Sequence, residues 1–214
     1  MDGATYVDGV ADVRSAIRFL RAHAEEYGLD ASRVAVWGES AGGYLAAMIG
    51  VTRGIERFDA HGDADQSSDV QAVIDLFGPS DLLKVAADFD DAAQLANAAP
   101  GVPMSAYVFG PGVGKSLADD PAAVAKADPA QYVRPGTPPF LLFHGSADTL
   151  ISPSQTLLLH DMLLANGIDS TRYVLTGAGH GDLGFLGDDE AVLPWTTVQT
   201  MDLIVDFLNR KLKL

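Results

Sequence analysis

Residues 33–52 read RVAVWGESAGGYLAAMIGVT, passing within twenty residues from a valine-rich run through a glycine-flanked serine into a helical pattern. A short apolar run that ends in a turn reads as a buried strand. Gly38-Glu39-Ser40-Ala41-Gly42 fits G-x-S-x-G, a sharp strand-to-helix turn with glycines where a side chain would clash. A strand fed directly into a helix is the repeating unit of a parallel sheet covered by helices, so this stretch narrows the fold more than any other.

The rest of the chain repeats that alternation. From Asp8 to Tyr27 the residues Val10, Val13, Ile17, Leu20, Ala24 and Tyr27 recur at spacings of three and four, the period of one helical face, with Arg14, Arg18, Arg21 and Glu25 elsewhere. Asp8 reads as the N-cap of this helix and Gly28 as its stop. After a polar, acidic loop (53–69), VQAVIDLFG gives a second strand ending in Gly78-Pro79-Ser80. From Asp81 to Pro138 the pattern loosens. Short helices over 90–98 and 116–127 are interrupted by APGVPM and FGPGVGK, which reads as a cap-like insertion (81–138) rather than a second domain. PPFLLFHG is a third strand, SQTLLLHDMLLANG a helix stopped at Gly167, and TRYVLTG a fourth strand. Residues 196–213 read as a helix with Val198, Met201, Val205, Leu208 and Leu212 turned inward. The expectation is a single α/β domain over 1–214, with a mostly parallel sheet of about four strands and helices on both faces.

Composition narrows the partners. A 214-residue chain with 48% hydrophobic and 20% charged residues suits one domain with a real core. A net charge of −15 repels nucleic acid and anionic membrane, so neither is expected as a partner. The absence of cysteine excludes disulfides and thiolate metal sites. The opening MDGATYVDGV lacks the basic and apolar segments of a secretory signal, and no run approaches the length of a membrane span. A soluble, cytoplasmic protein is expected. Asp88, Asp90 and Asp91, like Asp188, Asp189 and Glu190, lack the spacing and glycine placement of a metal loop, so they read as solvated charge and no metal is expected.

A reactive serine needs a base, and the base needs a carboxylate to orient it. The third strand runs into HGSADTLISP, which carries Asp148, and the fourth into GAGHGD, which carries His180. Strand ends of an α/β sheet share one rim, so Ser40, Asp148 and His180 can converge although 108 and 32 residues separate them. Ser, Asp, His is also the chain order that the serine elbow uses. Asp81, just after the second strand, is the alternative acid. His144 ends an apolar strand and reads as a hydrogen-bonded structural residue, while His23, His61 and His160 lie on helices or in a polar loop.

The blocks VWGESAGGYLAA, PPFLLFHGSADTLISPSQ and GAGHGD, preceded by DVRSAIRFLRAHAEEYGLDASRV, resemble the α/β-hydrolase esterases and lipases related to hormone-sensitive lipase, especially the feruloyl-esterase-like branch. Four blocks stand in family order and span essentially the whole chain. The resemblance implies a serine carboxylesterase without metal or organic cofactor. In it Ser40 is the nucleophile, Asp148 the triad acid, His180 the base, and Ala41 the donor of one oxyanion N–H. Family members begin with several strands and an HGGG loop that gives the second oxyanion donor. This sequence opens at the helix that follows them, so the resemblance implies an N-terminally truncated α/β-hydrolase fold.

Two expectations follow. Losing one oxyanion donor costs about 10²–10³ in kcat, leaving an impaired but live esterase. A bared sheet edge around residues 33–38 and the opening helix calls for a cover, expected to be a second copy in a homodimer. The ester pocket is expected between the elbow and the insertion, walled by Tyr107, Phe109, Leu183 and Phe185. Short acyl chains are favoured, with small aromatic and sugar esters left open. The rival readings are a catalytically degenerate homologue acting as a binding or oligomeric protein, and a serine peptidase of the same fold.

Overall fold

The computed structural model describes residues 3–59, 62–63, 65–181 and 194–214. Strands β1 (Ala35–Glu39), β2 (Ala72–Leu76), β3 (Phe140–Gly145) and β4 (Ser170–Leu175) form one sheet in sequential order, every pair parallel. Every residue of the two central strands, β2 and β3, is buried, as continuous apolar runs covered on both faces should be. Glu39 lies opposite Leu76 and Gly145 opposite Leu175, so the strands finish along one rim and the loops after them share it.

Helices α1 (Tyr6–Ala22), α2 (Ala24–Tyr27) and α3 (Ala41–Val51) flank β1 in sequence. Three short helices, α4 (Asp91–Ala98), α5 (Pro103–Phe109) and α6 (Pro121–Ala125), lie between β2 and β3, and α7 (Ser154–Ala165) and α8 (Val198–Leu212) complete the set among the described residues. Alternation along the strands divides the core. Val73, Phe140 and Leu142 pack with Val10 and Ile17 of α1, Met48 and Ile49 of α3, and Leu159 and Leu163 of α7. Ala72, Ile74, Leu76, Leu141 and Phe143 face the other way, against Ile204 and Phe207 of α8. Among the described residues the sheet ends at β1 and β4, and on β1 the Trp37 side chain is 45% exposed.

Several local expectations are corrected. Thr5, not Asp8, caps α1: its N–H and hydroxyl both donate to Asp8 Oδ2, at 2.7 and 2.8 Å, so Asp8 is the reciprocal partner of a capping box. On α1 Val10 and Ile17 are buried and Leu20 is exposed, as is Tyr27 at the end of α2, while Arg14 and Arg18 are buried. Burial of a guanidinium is tolerated where its donors find oxygen. Arg14 donates to Asp59 Oδ1 (3.0 Å), Thr52 Oγ1 (3.1 Å) and the Thr52 carbonyl, and Arg18 donates to the same Asp59 oxygen at 3.0 Å. The helix breaks at His23, and Gly28 closes α2 in a left-handed conformation at φ 65°. On α8 the inward face is turned from the expected one. Met201 and Leu208 pack against the core as expected, but Val198 and Val205 are exposed and Thr200, Ile204 and Phe207 are buried, because the larger payload of Ile204 and Phe207 decides which stripe meets the sheet.

The insertion holds one helix that APGVPM concealed. Read as a breaker, Pro103 is instead the first residue of α5, where its missing N–H costs nothing. The expected 116–127 helix is a 3₁₀ turn, Leu117–Asp119, followed by α6. Among the described residues no helix is long and apolar enough to cross a membrane.

Candidate active site

Ser40 stands between the last residue of β1 and the first of α3 with φ 54°, a conformation that non-glycine residues rarely adopt. Its neighbours hold it there. Ser40 N–H donates to the Leu76 carbonyl at 2.9 Å, which ties the turn to the end of β2. A Cβ on Gly38 would fall 2.1 Å from the Gly42 carbonyl oxygen, and one on Gly43 would fall 2.4 Å from Asp75 Oδ1. At Gly42 an added Cβ meets nothing within 4 Å. The glycines that close packing requires are therefore Gly38 and Gly43, so only the first glycine of G-x-S-x-G is sterically obligatory.

The loops after β3 and β4 bring their side chains to the same point. His180 Nε2 lies 2.8 Å from Ser40 Oγ, and His180 Nδ1 lies 2.8 Å from Asp148 Oδ2. Asp148 is buried, and its other oxygen accepts the N–H groups of Leu150 (2.8 Å) and Ile151 (2.9 Å). Burial alone pushes this carboxyl upward. Hydrogen bonds from His144, His180 and the Ile151 N–H outweigh it and hold the group well below the usual carboxylate range. An ionised carboxylate behind an imidazole fixes the tautomer whose free nitrogen faces the hydroxyl, the arrangement needed to take its proton. The His180 ring rests against Phe77, centroid to centroid 4.6 Å.

The competing residues are engaged elsewhere. Asp81 Oδ2 accepts from Lys84 Nζ at 2.9 Å. His23 pairs with Glu26 at 3.2 Å, and His160 with the Ser170 hydroxyl at 2.8 Å. His61 lies outside the described residues. His144 is buried in a hydrogen-bond network that reaches Asp148, a connection its place at a strand end did not suggest.

A cleft of about 410 Å³ opens beside Ser40 and Ala41, walled by Tyr44 and Leu45 of α3, Pro79 and Leu82 after β2, Ile151, and Pro103, Met104 and Tyr107 of α5. Its lining is overwhelmingly apolar. The Tyr44 hydroxyl is committed to the Ala127 carbonyl at 2.7 Å, and Tyr107 packs edge-on against the Tyr44 ring at 5.8 Å. Phe109 is not among the lining residues: it packs against the main core, with Lys115 Nζ 5.2 Å from its ring centre. Leu183 and Phe185 lie outside the described residues. Met104 escaped the sequence reading together with its helix, although the spacing Met104–Tyr107–Val108 is a helical one. Among the described residues no group of three or more His, Cys, Asp or Glu is placed to hold a metal ion.

A parallel sheet with a strained serine at a strand-to-helix turn, and an acid and a histidine on the loops after later strands, defines an α/β-hydrolase fold. The comparisons with known proteins narrow this class. A family model described as BD-FAE matches residues 1–163, and the chain belongs to that family. Esterase LipC of Mycobacterium tuberculosis is 31% identical over 173 residues, which cover 80% of this chain and 40% of that protein. Among solved structures, a truncated form of a carbohydrate esterase from gut microbiota superposes with a TM-score of 0.76 at 26% identity, covering 96% of this chain and 68% of that one. A thermophilic esterase of the Planctomycetes species Thermogutta terrifontis gives 0.68 at 27% identity, covering 97% and 65%. The chain spans about two fifths of the length of the curated relatives it matches.

Proposed function

We propose that the protein is a serine carboxylesterase acting through an acyl-enzyme. The observation that carries this reading is the unbroken path Ser40 Oγ–His180 Nε2, His180 Nδ1–Asp148 Oδ2, 2.8 Å at each step, ending at the floor of an apolar cleft. His180 takes the Ser40 proton as the oxygen attacks the ester carbonyl, then gives it to the departing alcohol. Water repeats the cycle on the acyl-enzyme, with Asp148 holding the imidazole throughout. Ala41, the first residue of α3, has an N–H with no acceptor inside its helix and is the oxyanion donor assigned here.

Residues 81–138 serve as the cap, since α5 supplies Pro103, Met104 and Tyr107 to the wall of the cleft. The lining suits a short alkyl or small aromatic group better than a sugar, because its hydroxyls other than that of Ser40 belong to Tyr44, already bonded, and Tyr107. The reading includes a homodimer in which β1 and the opening helix of two copies cover one another.

The test is hydrolysis of p-nitrophenyl acetate, butyrate and octanoate by the wild type and Ser40→Ala, with fluorophosphonate labelling of Ser40. Turnover in the wild type alone supports the esterase. Equal rates in the two proteins refute it and leave a binding protein. A preference for peptide anilides over esters would move the chain to the peptidases of this fold.

A further inference from the structure

Two non-glycine residues beside the proposed site have left-handed backbones: Ser40 at φ 54° and Phe77 at φ 48°. Strain of this kind persists only where the surroundings over-determine it, and it concentrates at working sites. The strain at Ser40 belongs to the elbow. Phe77 is not among the residues that line the cleft, and its strain needs another reason.

The turn after β2 supplies one. The Leu76 carbonyl accepts the Ser40 N–H at 2.9 Å. The next residue, Phe77, is fully buried and donates its N–H to the Phe143 carbonyl at 2.8 Å. Its ring packs at 4.6 Å against the His180 imidazole, tilted by 60°, and at 4.6 Å against Trp195, which backs it. One residue further, Gly78 donates its N–H to Asp75 Oδ1 at 2.8 Å, a bond that spans Leu76 and Phe77 and closes the turn. Consecutive residues thus hold the serine and the histidine.

Asp75 is wedged in place. Its Oδ1 would lie 2.4 Å from a Cβ on Gly43 of α3 and 2.5 Å from one on Gly78, so the carboxyl fills the space between the elbow helix and the turn. Its Oδ2 is buried and has no hydrogen-bond partner among the described residues. Such burial is unfavourable for a carboxyl and pushes it up to about 7. An apolar residue would avoid this cost but would leave the buried Gly78 N–H unpaired.

Resting on the triad reading above, the geometry points to the Asp75–Gly78 turn as the element that sets the relative positions of Ser40 and His180, with Phe77 the positioning residue for the imidazole and Asp75 the clip that holds Phe77.

The test reads the His180 Nδ1 proton directly by NMR, as a downfield resonance assigned through its loss in His180→Asn, alongside kcat and KM for p-nitrophenyl butyrate. Phe77→Leu and Phe77→Met keep the apolar volume. Either is expected to broaden or remove the resonance and to lower kcat at least tenfold, with KM changed less than about twofold. Asp75→Ala should do the same, and Asp75→Asn, which retains the acceptor for Gly78, should restore both signals. A wild-type resonance and kcat in both Phe77 variants would overturn the inference, as would absence of the resonance from the wild type. If the resonance responds as described while no ester is turned over, the positioning role stands and the esterase reading falls.

Discussion

His144 Nε2 lies 3.3 Å from Asp148 Oδ2, the same carboxylate oxygen that receives His180 Nδ1 at 2.8 Å. His144 is fully buried, and its Nε2 also lies 3.0 Å from the Ile151 carbonyl, so one N–H is shared between two acceptors. The proton is placed on that nitrogen from the far side of the ring. Arg172 Nε donates to Thr156 Oγ1 at 3.0 Å, and of the two acceptors near the Thr156 hydroxyl His144 Nδ1 at 3.0 Å is closer than the Pro153 carbonyl at 3.4 Å, so the hydroxyl donates to the ring. A strand-end histidine thus helps keep Asp148 ionised.

His144→Phe removes that donor from Asp148 and from the Ile151 carbonyl, while the Thr156 hydroxyl can turn to the Pro153 carbonyl at 3.4 Å. We expect a loss of about 1–3 kcal/mol in urea denaturation, the usual cost of an orphaned buried polar group. The pH dependence has a definite sign. A carboxyl whose pKa falls on folding contributes stability above its ordinary pKa, and that contribution disappears as pH drops through the folded value. Weakening the depression at Asp148 moves acid unfolding of the variant to higher pH than in the wild type, a shift that circular dichroism across an acid titration will detect.

Asp75 titrates with the opposite sign. Its carboxyl is raised from 3.8 to about 7 by burial, so folding takes up a proton there. Its stabilising contribution is complete below pH 3.8 and is lost as pH rises toward 7. Asp128, raised to about 7 chiefly by burial, acts in the same window. At ~1.4 kcal/mol per unit, Asp75→Asn should shrink the drop in stability between about pH 5 and about pH 8 by about 3 kcal/mol. Parallel denaturation curves at the two pH values will check this, and an unchanged difference would show that Asp75 has an ordinary pKa.

What was legible in the sequence follows from periodicity and turn chemistry. The four strands stood out because buried parallel strands are continuous apolar runs, and Gly28 and Gly167 marked helix ends because both take left-handed conformations, at φ 65° and 71°. Side-chain burial was read less well wherever long-range partners decide it. Arg14 is buried because Asp59 and Thr52, some forty residues away, supply its acceptors, and no local pattern announces that. The strained backbone of Phe77 was invisible for the same reason: the Phe143 carbonyl and the ring of Trp195, both distant in sequence, meet it from outside the turn.

The elbow glycines separate sharply. Gly38→Ala drives a methyl group into the Gly42 carbonyl at 2.1 Å, where backbone and not a yielding side chain blocks it. We expect a loss of about 1–3 kcal/mol or more and a displaced Ser40. Gly42→Ala meets open space within a helix and should be neutral or stabilising by less than about 1 kcal/mol. Thermal melts of the two variants, with fluorophosphonate labelling to report on Ser40, will decide whether one glycine or both are required.

Cleft volume should set chain-length preference through α5. Met104 lines the cleft without contributing to the proposed chemistry, and tryptophan at that position fills part of the roughly 410 Å³. For Met104→Trp we expect kcat/KM for p-nitrophenyl octanoate to fall at least tenfold, with that for acetate changed less than about threefold, since each methylene placed in an apolar pocket contributes about 1–3 kcal/mol. A uniform fall across both esters would assign the acyl chain to another surface.

The remaining prediction concerns β1, which among the described strands pairs with β2 alone. An edge strand offers a row of unpaired N–H and C=O groups to any matching strand, and a second copy supplies one through a two-fold axis. Exposed Trp37, with Leu20 and Leu29 near the same edge, adds apolar surface that such pairing removes from water. Opposing this, each copy carries a net charge of −15, so the two repel and salt should favour association. We expect light scattering at micromolar concentration to give twice the 22.5 kDa chain mass, with the dimer fraction rising with ionic strength. Trp37→Lys places a charge on the edge and should yield monomers, whereas Val174→Lys, on the opposite edge strand β4, should leave the dimer intact. Dissociation by Val174→Lys alone would move the interface to β4, and a monomer at every salt concentration would remove the dimer from the account.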